Sequence, residues 1–254
     1  MGLVPHDGLL IANLDDPVIK AEIKNAKCPV VTYGLSEKAR FTATKIITHE
    51  KATQLSILKD GSECLNVTTS LYGHHNISNL LAVVAMADFL GIPSETVADA
   101  AKTFRGIKRR QELIGEKQGV LILDDFAHHP TAVQQTIAAV KEKYKERRLI
   151  AVFEPRSNSS RRNIFQHQYA ASFEAADLVM IPEPTMMEKI SPAERFSSKQ
   201  LTEDLAKKGK KAFYFPDTDQ LLTGMVSESR PRDVFLIMSN GGFDNIHRRF
   251  LKAL

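Results

Sequence analysis

Two carboxylates, two imidazoles and a hydroxyl fall within eight residues at Asp124-Asp125-Phe126-Ala127-His128-His129-Pro130-Thr131. Asp125 can accept hydrogen bonds from a ribose. His128 and His129 can ligate a metal, exchange protons or bind a carboxylate. Capping of a strand end and a helix start is the plain alternative, but two adjacent histidines add nothing obvious to capping.

Four other stretches have chemistry-bearing spacing. Gly73-His74-His75-Asn76-Ile77-Ser78-Asn79 opens a helix-like pattern. Asn76 and Asn79, three apart, share one face of its first turn, and each amide carries a donor and an acceptor suited to an adenine edge. N-capping by Asn76 explains the pattern equally simply. Lys108-Arg109-Arg110-Gln111-Glu112 offers an arginine fork for a phosphate, or a surface cluster in which Glu112 pairs to an arginine. Glu154-Pro155-Arg156-Ser157-Asn158-Ser159-Ser160-Arg161-Arg162 sets three arginines among small hydroxyls, which suits an anionic ligand or a solvated loop. Ser239-Asn240-Gly241-Gly242 precedes the last helix and permits close backbone approach, or is a simple strand-to-helix turn.

The surrounding pattern says what holds these stretches. From residue 107 onward, strand candidates at Val120 to Leu123, Leu149 to Phe153, Leu178 to Ile181, Ala212 to Phe215 and Val234 to Met238 alternate with helical segments. The helices are predicted at residues 132–145, 164–174, 198–207, 218–227 and 243–254. Such alternation implies an α/β fold with a mainly parallel, Rossmann-like sheet and helices on both faces. The three polar loops all follow strands, so they should gather on one rim.

Before residue 107 the order differs. Strands are expected at residues 8–12 and 29–33, with a helix at 18–26. Period-two alternation from Arg40 to Val67, with Lys59-Asp60-Gly61-Ser62 as a hairpin turn, predicts a small antiparallel section. Helices at residues 76–90 and 93–103 follow, the second capped by Ser94. The break at Phe104-Arg105-Gly106-Ile107 places a boundary between 1–106 and 107–254.

Bulk properties narrow the class. The 254 residues allow one large domain or two ordinary ones. No apolar run reaches a membrane span, and no secretory signal precedes the first strand, so neither a membrane nor an oxidising compartment is expected. Cys28 and Cys64 have no metal-site spacing, which fits a reduced, cytoplasmic protein. The charge of +4 is modest, Trp is absent, and aromatics do not interleave with the basic clusters; nucleic-acid binding is not expected.

Taken together, the 73–79, 104–112 and 124–131 stretches, with Phe153 to Asn158 and Met238 to Phe243, resemble the Mur ligases in order and spacing, over nearly the whole chain. The resemblance implies an ATP-dependent, Mg2+-using ligase of cell-wall metabolism that works through an acyl phosphate. It implies residues 1–106 as part of the central ATP-binding domain and 107–254 as the C-terminal domain. By position it assigns His75, Asn76 and Asn79 to adenine, Arg110 to ATP and Asp125 to ribose. It places His128, His129, Arg156, Ser157, Asn158, Arg161, Ser239, Asn240, Gly241 and Gly242 where the incoming amino acid or peptide is received. Within the family the motifs look most like those that join UDP-N-acetylmuramate to the murein tripeptide, a step of peptidoglycan recycling. No Gly-x-x-x-x-Gly-Lys-Ser/Thr phosphate loop occurs in the sequence. The phosphate loop and the Mg2+ ligands are therefore expected on a missing N-terminal part, and this polypeptide alone is expected to be inactive. Two other readings stay open: a metal-dependent phosphoesterase using Asp124, Asp125, His128 and His129, and a non-catalytic module that binds peptide or nucleotide.

Overall fold

The computed structural model describes every residue except Met1 and Glu37. The chain divides into two compact units, Met1–Gly106 and Ile107–Leu254.

In the first unit, a five-stranded sheet runs in the order β1 (Leu10–Asn13), β2 (Val30–Tyr33), β3 (Phe41–Thr48), β4 (Thr53–Lys59), β5 (Ser62–Thr69). β1, β2 and β3 are parallel; β3, β4 and β5 form the expected antiparallel section. The β4–β5 turn places Asp60 and Gly61 at φ 51° and 80°, as a tight primed hairpin requires. The helix expected at 18–26 is shorter. It is α1 (Pro17–Glu22) followed by one 3-10 turn, and Asp16 caps it by accepting from the N–H groups of Val18 and Ile19.

Two further helices cover this sheet. α2 (His74–Phe89) buries Ile77, Leu80, Leu81, Val84 and Ala85 in a core shared with Phe41, Leu55, Ile57 and Val67. Its outer side is apolar too, with Val83, Met86, Phe89 and Leu90 exposed nearby. α3 (Ser94–Thr103) starts one residue earlier than capping by Ser94 requires. Pro93 is the cap, so Ser94 lies inside the first turn and caps nothing.

The second unit is a six-stranded sheet in the order β10 (Lys211–Phe215), β9 (Leu178–Pro182), β8 (Leu149–Phe153), β11 (Val234–Met238), β7 (Val120–Asp125), β6 (Glu112–Lys117). All neighbours are parallel except β6, which pairs antiparallel with β7. Sequence patterning missed β6, whose charged, half-exposed side chains carry no clear period.

Successive residues of the buried strands face opposite layers. Val120, Ile122, Phe235 and Ile237 join a core with Leu221 and Met225 of α7 (Thr218–Glu228) and with Ile246 and Phe250 of α8 (Ile246–Ala253). The opposite side holds α4 (Pro130–Lys143), α5 (Gln166–Ser172) and α6 (Ser198–Lys207), which bury Val133, Ile137, Tyr169, Leu201 and Leu205. Burial on both faces explains why these strands read as continuous apolar runs. Among the described residues no helix is long and apolar enough to cross a membrane.

Candidate functional site at the strand tips of the second unit

Register fixes where the polar loops emerge. Met238 of β11 lies level with Asp125 of β7 on one side and with Phe153 of β8 on the other. The three loops that follow, beginning at Phe126, Glu154 and Ser239, therefore leave the sheet at one height on one rim. Open parallel sheets bind ligands at this rim.

The groups that meet there are tied to one another. Ser239 donates its hydroxyl to one oxygen of the Glu154 carboxylate, a short contact between residues 0% and 4% exposed. The other Glu154 oxygen takes Arg156 Nη1 at 3.3 Å. The Gly241 N–H returns to Ser239 Oγ at 2.9 Å. Gly241 has no room for a side chain: a Cβ there would lie 2.1 Å from Arg156 Cδ and 2.2 Å from Arg156 Nε. The stem of Arg156 thus lies directly on the Gly241 backbone, with its head half-exposed. A Cβ at Gly242 meets nothing. The buried Asn240 Oδ1 has no protein partner among the described residues.

Asp125, the expected ribose acceptor, is held by the protein's own backbone. It is 2% exposed, and its two oxygens accept the N–H groups of Ala127 at 2.7 Å and Gln111 at 2.8 Å. Burial raises its pKa, with those two N–H groups and Arg110 pulling the other way. The carboxylate fixes the start of one loop and the entry to β6. Asp124 is also buried. Arg109 Nε lies 3.4 Å from one of its oxygens and His247 Nε2 3.2 Å from the other, the latter without hydrogen-bond alignment.

The two histidines perform local structural tasks. His128 holds the Phe126 carbonyl through Nδ1 at 2.9 Å, and its own carbonyl accepts the Tyr169 hydroxyl. His129 is the N-cap of α4: its Nδ1 accepts from the Thr131 N–H at 3.4 Å, and its ring meets Phe165 edge-on at 4.7 Å. His129 therefore does take part in capping. Among the described residues no three His, Cys, Asp or Glu side chains gather as a metal would need.

The β8 loop is largely self-held. Ser157 Oγ accepts from the Ser160 N–H and bonds the Ser159 and Ser160 hydroxyls. Arg161 gives one guanidinium nitrogen to Asn158 Oδ1 at 2.9 Å and another to the Met186 carbonyl at 2.6 Å. This fastens the loop after β9, a rim segment that carried no signal in the sequence. Arg156 keeps 34% of its side chain exposed at the site's centre while pairing with Glu154; Arg161 braces the loop.

The adjacent arginines at the start of the unit part ways. Arg109 donates to the Ser239 and Gly241 carbonyls. Arg110 is exposed, its guanidinium 5.4 Å from the Phe126 ring centre. Glu112 accepts the backbone N–H of Arg109 rather than pairing with a guanidinium.

In the first unit, the residue before α2 is Gly73, whose φ of 86° only glycine adopts freely, and no side chain caps the helix. Asn76 does not cap; its Nδ2 donates to the Tyr72 carbonyl at 2.9 Å. His75 is half-buried and Asn79 is exposed one turn further on. An exposed amide at that position fits an adenine edge, and the exposed Arg110 guanidinium fits a phosphate.

Comparison with known proteins decides the family. Residues 2–87 match the Mur ligase middle domain, and residues 109–241 match the Mur ligase, glutamate ligase domain. The chain belongs to the Mur ligase family. Mur ligases are ATP-dependent amide-bond-forming enzymes of peptidoglycan synthesis and in general use Mg2+.

Among curated relatives, this Mur ligase chain is 36% identical over 253 residues to the UDP-N-acetylmuramate–L-alanyl-γ-D-glutamyl-meso-2,6-diaminoheptandioate ligase of Escherichia coli, covering 99% of the chain and 52% of the relative. It is 32% identical over 238 residues to the UDP-N-acetylmuramate–L-alanine ligase of Desulfitobacterium hafniense, covering 94% and 52%. A murein peptide ligase structure from Psychrobacter arcticus superposes with a TM-score of 0.68 at 29% identity, over 99% of this chain and 52% of that one. The chain thus spans about half the length of these relatives. An alanine-ligase structure from Thermotoga maritima shares the fold, with a TM-score of 0.78 at 22% identity, over 96% and 51%.

Proposed function

We propose that this chain is the nucleotide- and acceptor-binding part of a ligase that joins UDP-N-acetylmuramate to the tripeptide L-alanyl-γ-D-glutamyl-meso-diaminopimelate, in peptidoglycan recycling. One observation carries the acceptor assignment. Arg156 is seated on the Gly241 backbone at the rim where the β7, β8 and β11 loops meet; its guanidinium is braced through Nη1 by the buried Glu154 carboxylate, and 34% of its side chain stays exposed. A forked guanidinium held in this way recognises carboxylates, and the tripeptide carries several. The 36% identity to the tripeptide ligase of Escherichia coli supports peptide over free alanine as the acceptor.

ATP would supply activation of the muramyl carboxylate as an acyl phosphate, which the acceptor amine then displaces with loss of phosphate. Asn79, with His75 and Asn76 behind it, would read the adenine, and Arg110 would meet phosphate. The rim of the second unit would hold the peptide so that its amine is presented in one orientation, the main catalytic contribution available to a binding surface. Since no Gly-x-x-x-x-Gly-Lys-Ser/Thr pattern occurs in the sequence, the polypeptide alone is not expected to release ADP in the presence of tripeptide.

The test is affinity. Arg156→Ala should weaken tripeptide binding about tenfold or more, as loss of a charge-assisted contact does. ATP binding should change less than about twofold. Equal losses for both ligands would overturn the assignment, and tripeptide-dependent ADP release by the purified chain would overturn the inactivity. The metal-phosphoesterase reading has no support in geometry. Asp125 is held by backbone N–H groups and both histidines are locally engaged.

A further inference from the structure

Arg109 is tied to the rim by several contacts, although its side chain is about as exposed as that of Arg156, 35% against 34%. Its Nη2 donates to two carbonyls of one turn, Ser239 at 2.6 Å and Gly241 at 2.7 Å. Its Nε faces Asp124, and its guanidinium lies 5.2 Å from the Phe126 ring centre. The backbone is also held. Arg109 has φ 59°, where non-glycine residues are uncommon, and Glu112 accepts its N–H at 2.7 Å.

The turn that Arg109 grips is the one on which Arg156 rests. Gly241 supplies the floor under Arg156, and Ser239 holds the Glu154 carboxylate that pairs with the Arg156 head. A shift of that turn would move both at once. We propose that Arg109 is a positioning residue for the acceptor-binding arginine. By clamping the Ser239 and Gly241 carbonyls it fixes the surface beneath Arg156 and the carboxylate beside it, so the guanidinium is preorganised toward the incoming peptide. A planar fork suits this task, since one nitrogen spans two carbonyls while another faces Asp124. The proposal rests on the reading of Arg156 as acceptor anchor.

Calorimetric titration of the chain with L-alanyl-γ-D-glutamyl-meso-diaminopimelate tests it. Arg109→Gln should weaken peptide binding about tenfold, the worth of one or two rotamer-rich side chains no longer ordered in advance. In an Arg156→Ala background the same change should have no further effect, because its target is gone. ADP affinity should stay within about twofold throughout. Arg109→Lys keeps a charge beside Asp124 but lacks the fork. It should show a smaller loss, about threefold, and it answers the question if the glutamine variant does not fold. Losses that multiply in the double variant, or no loss from either Arg109 change, would overturn the clamp. An unchanged affinity in Arg156→Ala alone would instead overturn the acceptor reading on which it rests.

Discussion

Replacing Asp125 by alanine separates a strut from a ligand contact. The carboxylate accepts two backbone N–H groups, from Ala127 at 2.7 Å and Gln111 at 2.8 Å, in a position 2% exposed. Alanine leaves both donors without that acceptor, at about 1–3 kcal/mol each. Part of this is offset because a buried carboxylate, its pKa raised by desolvation, no longer has to be kept from water. The net expectation is a loss of about 2–4 kcal/mol.

A pH signature should accompany the loss. A raised carboxylate pKa means the native state binds the proton more tightly than the unfolded state. Wild-type stability relative to the variant should therefore fall as pH rises from the ordinary aspartate range through the raised value, then level off. The slowest-exchanging amides of β7 and β11 report stability in the second unit without assuming one transition for the whole chain. A change within about 0.5 kcal/mol, with nucleotide affinity sharply reduced, would refute the structural reading of Asp125 and restore a ribose contact.

Two other substitutions test the packing and the charges elsewhere. Gly224 lies inside α7, where alanine gains about 1 kcal/mol of helix propensity, but its Cβ would sit 2.5 Å from Phe215 Cε1. Overpacking of about 1–3 kcal/mol should win, so Gly224→Ala should lower the urea midpoint; a raised midpoint would contradict the packing. Asp177 accepts from the Leu149 N–H and Lys141 Nζ, both at 2.7 Å; its partial burial pushes the pKa up, but these donors outweigh it and leave the pKa lowered. Asp177→Asn should cost about 1 kcal/mol at neutral pH, reduced by solvent screening. The gap should close as pH falls through the lowered pKa. A gap that persists in acid would mean that packing, not charge, holds the site.

The sheet of the second unit was legible because four of its strands, β7, β8, β9 and β11, are buried on both faces and read as short apolar runs. Leu149–Phe153 and Val234–Met238 have the bounds the sequence suggests. β6 was not legible, since an edge strand with Glu112, Glu116 and Lys117 has the composition of a loop. Loop placement followed from strand order, so the shared rim of Asp125, Glu154 and Ser239 could be expected. What each side chain does there could not. Asp125 and Asp124 look alike in sequence, as do Arg109 and Arg110, and only the folded structure shows that the first pair is buried with different partners and that Arg109, not Arg110, grips the Ser239 and Gly241 carbonyls. Glu154 passed unmarked as a functional group because its partners, Ser239 and Arg156, come from different loops.

The central claim is that the rim of the second unit receives an anionic peptide. Titrating isotopically labelled chain with L-alanyl-γ-D-glutamyl-meso-diaminopimelate, and separately with L-alanine, while following the backbone amide resonances tests it most directly. The account expects the tripeptide to move the amides of residues 156–161 and 239–242 saturably, and L-alanine to move them far less. Shifts confined to the opposite end of the sheet, or equal responses to both compounds, would contradict it.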